Sequence, residues 1–141
     1  MSGIGLMFIG REAGAFALTV SSNQTDVNLA TLATSSGWNG SSALNVTINS
    51  GVYISSTSTA TPALTVNGSF PGGVTLVNNG TIVGRGGAGG ASQGCGPPLT
   101  TGNNNPGQPG GTGGLALSVS SAISITNNGT IAGGGGGGGG G

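Results

Sequence analysis

Charged and titratable side chains are almost absent from this sequence. Its 141 residues contain no lysine and no histidine, and only Arg11, Glu12, Asp26 and Arg85 carry charge. Catalysis needs groups that titrate or become activated near neutral pH, and a metal or cofactor site needs a cluster of ligands. We therefore expect no enzyme activity, no catalytic residue, no cofactor and no metal. Without a basic patch, nucleic acid is not an expected partner either.

Cysteine and long hydrophobic runs are also scarce. The single Cys95 cannot form an intramolecular disulfide, and its role stays open. No apolar run reaches the length of a transmembrane helix, so we expect no membrane insertion. The first ten residues are apolar but lack the basic start of a signal peptide. A protein of this kind that acts outside a cell is expected to leave by cell lysis or as part of a particle rather than by the general secretory route.

Glycine, by contrast, accounts for 34 of the 141 residues. Glycine chains can adopt the extended polyproline II geometry, in which every N–H and C=O points outward and parallel rods can bond to one another. Side chains would separate such rods, so glycine runs suit this packing. The residues predicted to pack as polyglycine II are Gly86, Gly87, Gly89, Gly90, Gly133, Gly134, Gly135, Gly136 and Gly137.

Short apolar patterns recur through the rest of the chain. A tetrad of the form Ala-Leu-polar-Val begins at Ala17, Ala43, Ala63 and Ala116. Leucine and valine two residues apart lie on one face of a strand. Residues 74–84 also match residues 123–133 position by position. Such repeats are typical of stacked β architecture, either a β-solenoid or an elongated sandwich.

The turn residues and the missing helical period complete the fold prediction. Asn-Asn-Gly follows a strand pattern at Asn78 and again at Asn127, and Asn and Gly tolerate the left-handed backbone of tight turns. No 3.6-residue apolar period is present, so we predict an all-β chain of short stacked repeats with polyglycine II-like segments. The predicted divisions are an N-terminal docking segment (1–14), a β-repeat platform (15–83), a glycine-, Asn- and Pro-rich excursion (84–114), a β return (115–132) and a polyglycine segment (133–141).

Four side chains stand out as candidates for contact with a partner. Trp38 lies in a polar turn, where an aromatic ring either contacts a receptor or closes the apolar core. Arg85 is a lone cation among glycines; it either contacts a receptor or bonds carbonyl groups at the edge of the β platform. Arg11 and Glu12 are the candidates for docking to another protein, unless they only form a solvated turn.

The chain resembles the glycine-rich tail-tip and tail-fibre proteins of tailed bacteriophages. The resemblance rests on Asn78-Asn79-Gly80-Thr81-Ile82, on Asn127-Asn128-Gly129-Thr130-Ile131 and on the glycine runs 86–90 and 133–141. In one adhesin family of this kind, packed polyglycine II helices build the distal tip and loops between them read the receptor. The resemblance implies a non-enzymatic virion protein that builds a tail fibre or tail tip and adheres to the host.

Partners follow from this resemblance and from the few glycine runs. We expect contacts with other virion tail proteins and with a host cell-surface receptor, either a glycan or an outer-membrane protein. One long glycine run and two short ones make a lattice from a single chain doubtful, so we predict a homotrimer. The alternative is a glycine-rich extracellular surface or antifreeze-type structural protein.

Overall fold

The computed structural model describes residues 14–92 and 107–141. Within these ranges the chain forms eleven short strands and one short helix. The elements are β1 Phe16–Val20, β2 Gln24–Thr25, β3 Val27–Asn28, α1 Leu29–Ser35, β4 Leu44–Ile48, β5 Tyr53–Ser55, β6 Leu64–Val66, β7 Val74–Asn78, β8 Thr81–Val83, β9 Leu117–Val119, β10 Ser124–Asn127 and β11 Thr130–Ala132.

The strands form three sheets, and every strand pair among the described residues is parallel. Sheet A has the order β1-β4-β7-β10, sheet B has β11-β8-β5-β2, and sheet C has β3-β6-β9. Successive strands thus lie in successive sheets, and the chain returns to sheet A after three strands. We call these passes layer 1 (β1–β3), layer 2 (β4–β6), layer 3 (β7–β9) and layer 4 (β10–β11). The predicted stacked β architecture is confirmed.

The two matching sequence segments lie side by side in this stack. Thr75 of β7 pairs with Ser124 of β10, and Thr81 of β8 pairs with Thr130 of β11, so partners are 49 residues apart in both sheets. The tetrads behave less regularly. Those in β6 and β9 are in register, whereas Leu18 of β1 pairs with Val46 rather than with Leu44. Each strand needs only alternating apolar residues, so tetrads can stack in different registers.

The core lies between the three sheets. In β4 the buried residues Leu44, Val46 and Ile48 alternate with the exposed Asn45 and the half-buried Thr47. The equivalent strands of the neighbouring layers add Leu18, Val20, Val74 and Leu76 to the same core. Full burial of a side chain of this size contributes about 1.5–3 kcal/mol. Aliphatic side chains thus fill the narrow interior, and the glycine-rich segments lie outside it.

The helix α1 corrects the prediction of an all-β chain. Asn28 precedes it, and its side-chain oxygen accepts a hydrogen bond from the backbone N–H of Thr31 at 3.2 Å. Leu29 and Ala33, four residues apart, are buried, and the helix packs against β3 and β6. A helix of seven residues covers only two turns, so it shows too little of the 3.6-residue period to be found in the sequence.

The Asn-Asn-Gly motifs are corners between sheets, but the predicted left-handed glycine is wrong. Gly80 and Gly129 are not among the described glycines with positive φ. Glycine is needed there because a Cβ on Gly80 would overlap the carbonyl oxygen of Val52, and a Cβ on Gly129 would overlap that of Gly80. The stacking distance between layers, rather than the turn conformation, excludes a side chain.

Buried asparagine holds these corners together. Asn78 is fully buried, and its Nδ2 donates to Asn127 Oδ1 at 2.7 Å and to the carbonyl oxygen of Thr130 at 3.1 Å. Its Oδ1 accepts the N–H of Gly80 at 3.1 Å. Asn128 Nδ2 likewise donates to Asn79 Oδ1 at 3.0 Å. The paired asparagines satisfy the polar groups that the corner buries between layers 3 and 4.

Candidate functional site: the bundle of glycine-rich segments

Three glycine-rich segments leave the stack of layers and lie together. Segment 1 (84–92) follows β8 directly, segment 3 (133–141) follows β11, and segment 2 (107–114) leads back towards β9. Since β8 and β11 are neighbours in sheet B, segments 1 and 3 begin side by side. The sheet therefore sets the register in which the two glycine segments meet.

Segments 1 and 3 run parallel and are joined at every third residue. The N–H groups of Gly84, Gly87 and Gly90 donate to the carbonyl oxygens of residues 132, 135 and 138, at 2.9, 2.8 and 2.7 Å. Each donor and acceptor is three residues further along than the one before. The 49-residue offset of the β8–β11 pairing continues through this contact, because residue 83 pairs with 132 and residue 86 lies against 135.

Segment 2 runs antiparallel to both and completes the bundle. The N–H groups of Gln108, Gly111 and Gly114 donate to the carbonyl oxygens of residues 91, 88 and 85, at 3.1, 2.7 and 2.7 Å. Segment 3 then donates from residues 134, 137 and 140 to residues 114, 111 and 108, at 2.8, 2.8 and 2.9 Å. Each segment thus donates to one neighbour and accepts from the other. At about 0.5–1.5 kcal/mol for each hydrogen bond, this cycle is a substantial part of the local stability.

The interior of the bundle has room for glycine alone. A Cβ at any of nine positions would overlap a carbonyl oxygen of the neighbouring segment. The nine are Gly84, Gly87, Gly90, Gly107, Gly110, Gly113, Gly134, Gly137 and Gly140. Their three-residue spacing matches the hydrogen bonds, so one row of each segment faces the other two.

All side chains of the bundle point outward. The residues other than glycine in the three segments are all exposed, and they are Arg85, Ala88, Ala91, Ser92, Gln108, Pro109 and Thr112. None of them lies in the row of inward glycines. Segment 3 carries no side chain, and at Gly135 and Gly138 an added Cβ would meet nothing within 4 Å. The bundle is thus a backbone lattice with an outer surface of small polar and apolar groups and one arginine.

A comparison with protein families now identifies the chain. The model of the family described as "Phage tail fibre adhesin Gp38" matches residues 15–141. The chain belongs to this family. The match spans all layers of the stack and all three glycine segments of the adhesin. No curated protein and no solved structure gave a match.

Membership of the adhesin family establishes the general role of the protein. It supports adhesion by a tail fibre and a location at the virion tail, as predicted. It also suggests a non-enzymatic role and interaction with host receptors and with other tail components. The resemblance to tail-fibre proteins that the motifs indicated is therefore confirmed.

The glycines predicted to pack fall on both sides of the bundle. Gly87, Gly90, Gly134 and Gly137 are in the inward row. Gly86, Gly89, Gly133, Gly135 and Gly136 lie outside it, with the nearest atoms 3.6 Å or more from an added Cβ. The inward glycines 84, 107, 110, 113 and 140 were not among those predicted. The signal for them was present, because glycine recurs at 107, 110 and 113 with other residues between.

The two candidates for receptor contact differ in accessibility. Trp38 is only 5% exposed, stacks on Phe70 with ring centroids 5.5 Å apart, and donates from Nε1 to the carbonyl oxygen of Ser42 at 2.8 Å. An indole held in this way closes the core and offers a receptor little surface, so the structure favours that interpretation of Trp38. Arg85 is exposed at the start of segment 1, and its carbonyl oxygen accepts the N–H of Gly114. Arg11, Glu12 and Cys95 lie outside the described residues.

The described residues hold no group of three or more side chains suited to a metal ion. Their one acidic side chain is Asp26, whose φ of +50° is left-handed. The Thr57 hydroxyl and then the Thr57 backbone N–H donate to its carboxylate and lower the pKa of Asp26 below its ordinary value.

A groove of about 200 Å³ between β1 and α1 is lined by uncharged residues such as Leu18, Leu32 and Gln24. Among the described residues, no helix has the length and apolarity to cross a bilayer.

Proposed function

We propose that the protein is a structural and receptor-contacting part of a phage tail fibre or tail tip, in which the stacked layers carry a bundle of polyglycine II rods. The observation that supports it is the cycle of hydrogen bonds between the glycine segments, which repeats every three residues. Polyproline II geometry has three residues per turn and no internal hydrogen bonds. A rod of nine such residues extends roughly 28 Å at about 3.1 Å per residue.

We infer that the layers themselves form a β-solenoid. Parallel pairing in all three sheets and the return to the same sheet after three strands support this fold over a sandwich, whose hairpins and Greek keys require antiparallel pairs. The proposed platform (15–83) and β return (115–132) then belong to one stack, because β9 pairs with β6 and β10 pairs with β7. The excursion (84–114) interrupts layer 3.

Receptor contact is proposed for the outward side chains of the bundle. Arg85, Gln108 and Thr112 supply a charge, an amide and a hydroxyl on the exposed surface of the bundle. A surface of this kind suits hydrogen bonding to a glycan or to the polar loops of an outer-membrane protein. The N-terminal residues 1–14, which include Arg11 and Glu12, are proposed to dock onto another tail protein after assembly in the host cytoplasm.

The homotrimer stays a prediction. The sequence favours a trimer because one chain has few glycine runs and a trimer would triple its rods. Three glycine-rich segments of a single chain nevertheless bond to one another, which makes a bundle within one chain the competing possibility. The mass of the native particle in solution tests the prediction directly, since a monomer would show that the bundle is complete within one chain.

Adhesion is tested by binding of the purified protein to host bacteria and by competition with phage adsorption. We expect the wild-type protein to sediment with host cells and to slow adsorption. Arg85→Gln should weaken both effects, whereas the matched control Thr47→Val, on the outer face of sheet A, should leave them unchanged. Two results would contradict the assignment of the bundle as the contact surface. In the first, Thr47→Val loses binding while Arg85→Gln keeps it. In the second, neither the folded wild-type protein nor a folded variant binds host cells.

The alternative of an antifreeze-type protein makes a separate prediction. The register of sheet A aligns Thr19, Thr47, Val77 and Thr126 in one outward row, so valine interrupts the threonines. An ice-binding face would produce thermal hysteresis in solution, and we expect none.

A further inference from the structure

The sequence contains four Asn-Gly pairs, and the fold places them in different environments. They are Asn39-Gly40, Asn67-Gly68, Asn79-Gly80 and Asn128-Gly129. Such pairs are chemically labile, because glycine has no Cβ to hinder the approach of its nitrogen to the asparagine carboxamide. Whether a given pair reacts in the folded protein depends on how freely the two groups can meet.

Two of the pairs are held by the stacking of layers 3 and 4. The N–H of Gly80 donates to Asn78 Oδ1 at 3.1 Å, and Gly80 is buried. The N–H of Gly129 donates to the carbonyl oxygen of Asn78 at 2.9 Å. Attack by either nitrogen would first break a hydrogen bond of the corner, and for Gly129 that bond joins layer 4 to layer 3. These two pairs should therefore react only when the corner opens.

A third pair is held through its carboxamide. Asn39 Oδ1 accepts the backbone N–H of Ser41 at 2.9 Å and that of Ser42 at 2.8 Å. Ser42 is itself fixed, because its carbonyl oxygen accepts the indole N–H of the buried Trp38. Rotation of the Asn39 side chain towards the nitrogen of Gly40 would break both bonds of this turn.

The fourth pair is held by a single hydrogen bond, at its carboxamide. Asn67 and Gly68 are exposed, and the N–H of Gly68 has no hydrogen-bond partner among the described residues. The Asn67 carboxamide has one contact, a hydrogen bond at 2.8 Å from Nδ2 of Asn28 to its Oδ1. Asn28 is half-buried and is itself held at the start of α1 by the Thr31 N–H, but it supplies a single donor, whereas Asn39 accepts from two backbone N–H groups.

We propose that Asn67 is a site of spontaneous deamidation in the folded protein, with the nitrogen of Gly68 as the nucleophile. The nitrogen loses its proton and forms a bond to Cγ of Asn67, and the Nδ2 group leaves as ammonia. Water then opens the resulting cyclic imide at either carbonyl carbon. The products are aspartate or isoaspartate, with one water consumed and one ammonia released.

The site lies where such a change affects neighbouring layers. Immediately before it, the carbonyl oxygen of Val66 accepts the N–H of Ser120 at 2.9 Å. Immediately after it, the carbonyl oxygen of Gly68 accepts the hydroxyl of Ser121 at 2.6 Å. Isoaspartate adds a methylene to the backbone between these two anchors. Its formation should loosen the contact between layers 2 and 3 and speed hydrogen exchange at the Ser120 amide.

The test compares the same four sites in the folded and in the urea-unfolded protein. Both samples are incubated at mildly alkaline pH, and each site is followed by peptide mapping with mass spectrometry and by enzymatic detection of isoaspartate. In urea all four should react at similar rates. In the folded protein Asn67 should keep a rate within a few-fold of that in urea, while Asn79 and Asn128 should slow by about tenfold or more, because they react only through local opening.

Two variants complete the test. Asn67→Ser should abolish the early product, and the matched control Asn128→Ser should leave the rate at Asn67 unchanged. A folded protein that reacts first at another Asn-Gly pair, or an Asn67 protected as strongly as Asn79, would overturn the proposal. Persistence of the early product in Asn67→Ser would overturn it as well.

Discussion

Replacing one inward glycine of the bundle by alanine tests the packing of the three segments. Gly137 lies in the middle of segment 3, and its N–H donates to the carbonyl oxygen of Gly111 at 2.8 Å. In Gly137→Ala the new Cβ would overlap the carbonyl oxygen of Ala88 in segment 1. The carbonyl oxygen belongs to the backbone and the backbone also fixes the position of the Cβ, so no side-chain rotation can relieve the overlap, and segments 1 and 3 must move apart.

The expected cost follows from the contacts that this movement disrupts. Overpacking of a tightly packed site costs about 1–3 kcal/mol. Separation of segments 1 and 3 also weakens the bonds from Gly87 to Gly135 and from Gly90 to Gly138, at about 0.5–1.5 kcal/mol each. Replacing glycine by alanine returns about 0.4–1 kcal/mol by restricting the unfolded chain. We therefore expect a net loss of about 1–5.5 kcal/mol where the bundle and the layers unfold together, and a smaller global effect where the bundle opens first.

The neighbouring residue offers a matched control. Gly138 is also a glycine of segment 3, but a Cβ added to it would have no atom within 4 Å. Gly138→Ala should leave the stability unchanged or raise it by up to about 1 kcal/mol through the unfolded state. Urea unfolding measures the global stability, and hydrogen exchange of the Gly87, Gly111 and Gly137 amides detects local opening. Equal effects of the two substitutions by both methods would refute the inward and outward assignment.

Three further predictions concern the layers. Asn78→Ala should destabilise the protein by about 2–4 kcal/mol in urea unfolding, because it removes three hydrogen bonds and leaves the N–H of the buried Gly80 without its partner. An effect no larger than that of Asn79→Ala would contradict this. Asp26 has a lowered pKa in the folded state, so its contribution to folding stability is present above the ordinary pKa of 3.8 and is lost as the pH falls through the folded pKa. Asp26→Asn should flatten this part of a curve of stability against pH. A curve that does not change would contradict the prediction. The only tryptophan, Trp38, should emit at short wavelength and resist quenching by iodide, and emission typical of an exposed indole would contradict its place in the core.

The sequence predicted those parts of the fold that depend on a local pattern of residue types. Alternation of apolar and polar residues predicted the strands, and the match between residues 74–84 and 123–133 predicted that two units stack. Their shared continuation into glycine also indicated that something leaves the stack at Gly84 and Gly133. The one helix among the described residues, α1, was not predicted because its seven residues are too few to show a helical period. Its only signals were the capping residue Asn28 and the buried pair Leu29 and Ala33.

The roles of individual glycines and of Trp38 could not be taken from the sequence. A glycine followed by a turn residue fits both a left-handed backbone and a close approach, and only the neighbouring layer shows that Gly80 serves the second purpose. A tryptophan in a polar turn fits both a contact surface and a core. Phe70, 32 positions further along the chain, decides this for Trp38 by stacking on its ring.

Composition and periodicity therefore determined the class of this protein: a nearly uncharged chain of stacked β repeats and glycine runs that resembles tail-fibre adhesins. Those properties are local and can be read residue by residue. The tertiary structure decided which glycines face one another, since the inward row depends on the 49-residue register of sheet B and on the antiparallel return of segment 2. Both relations join residues far apart in sequence, and no local pattern specifies such distances.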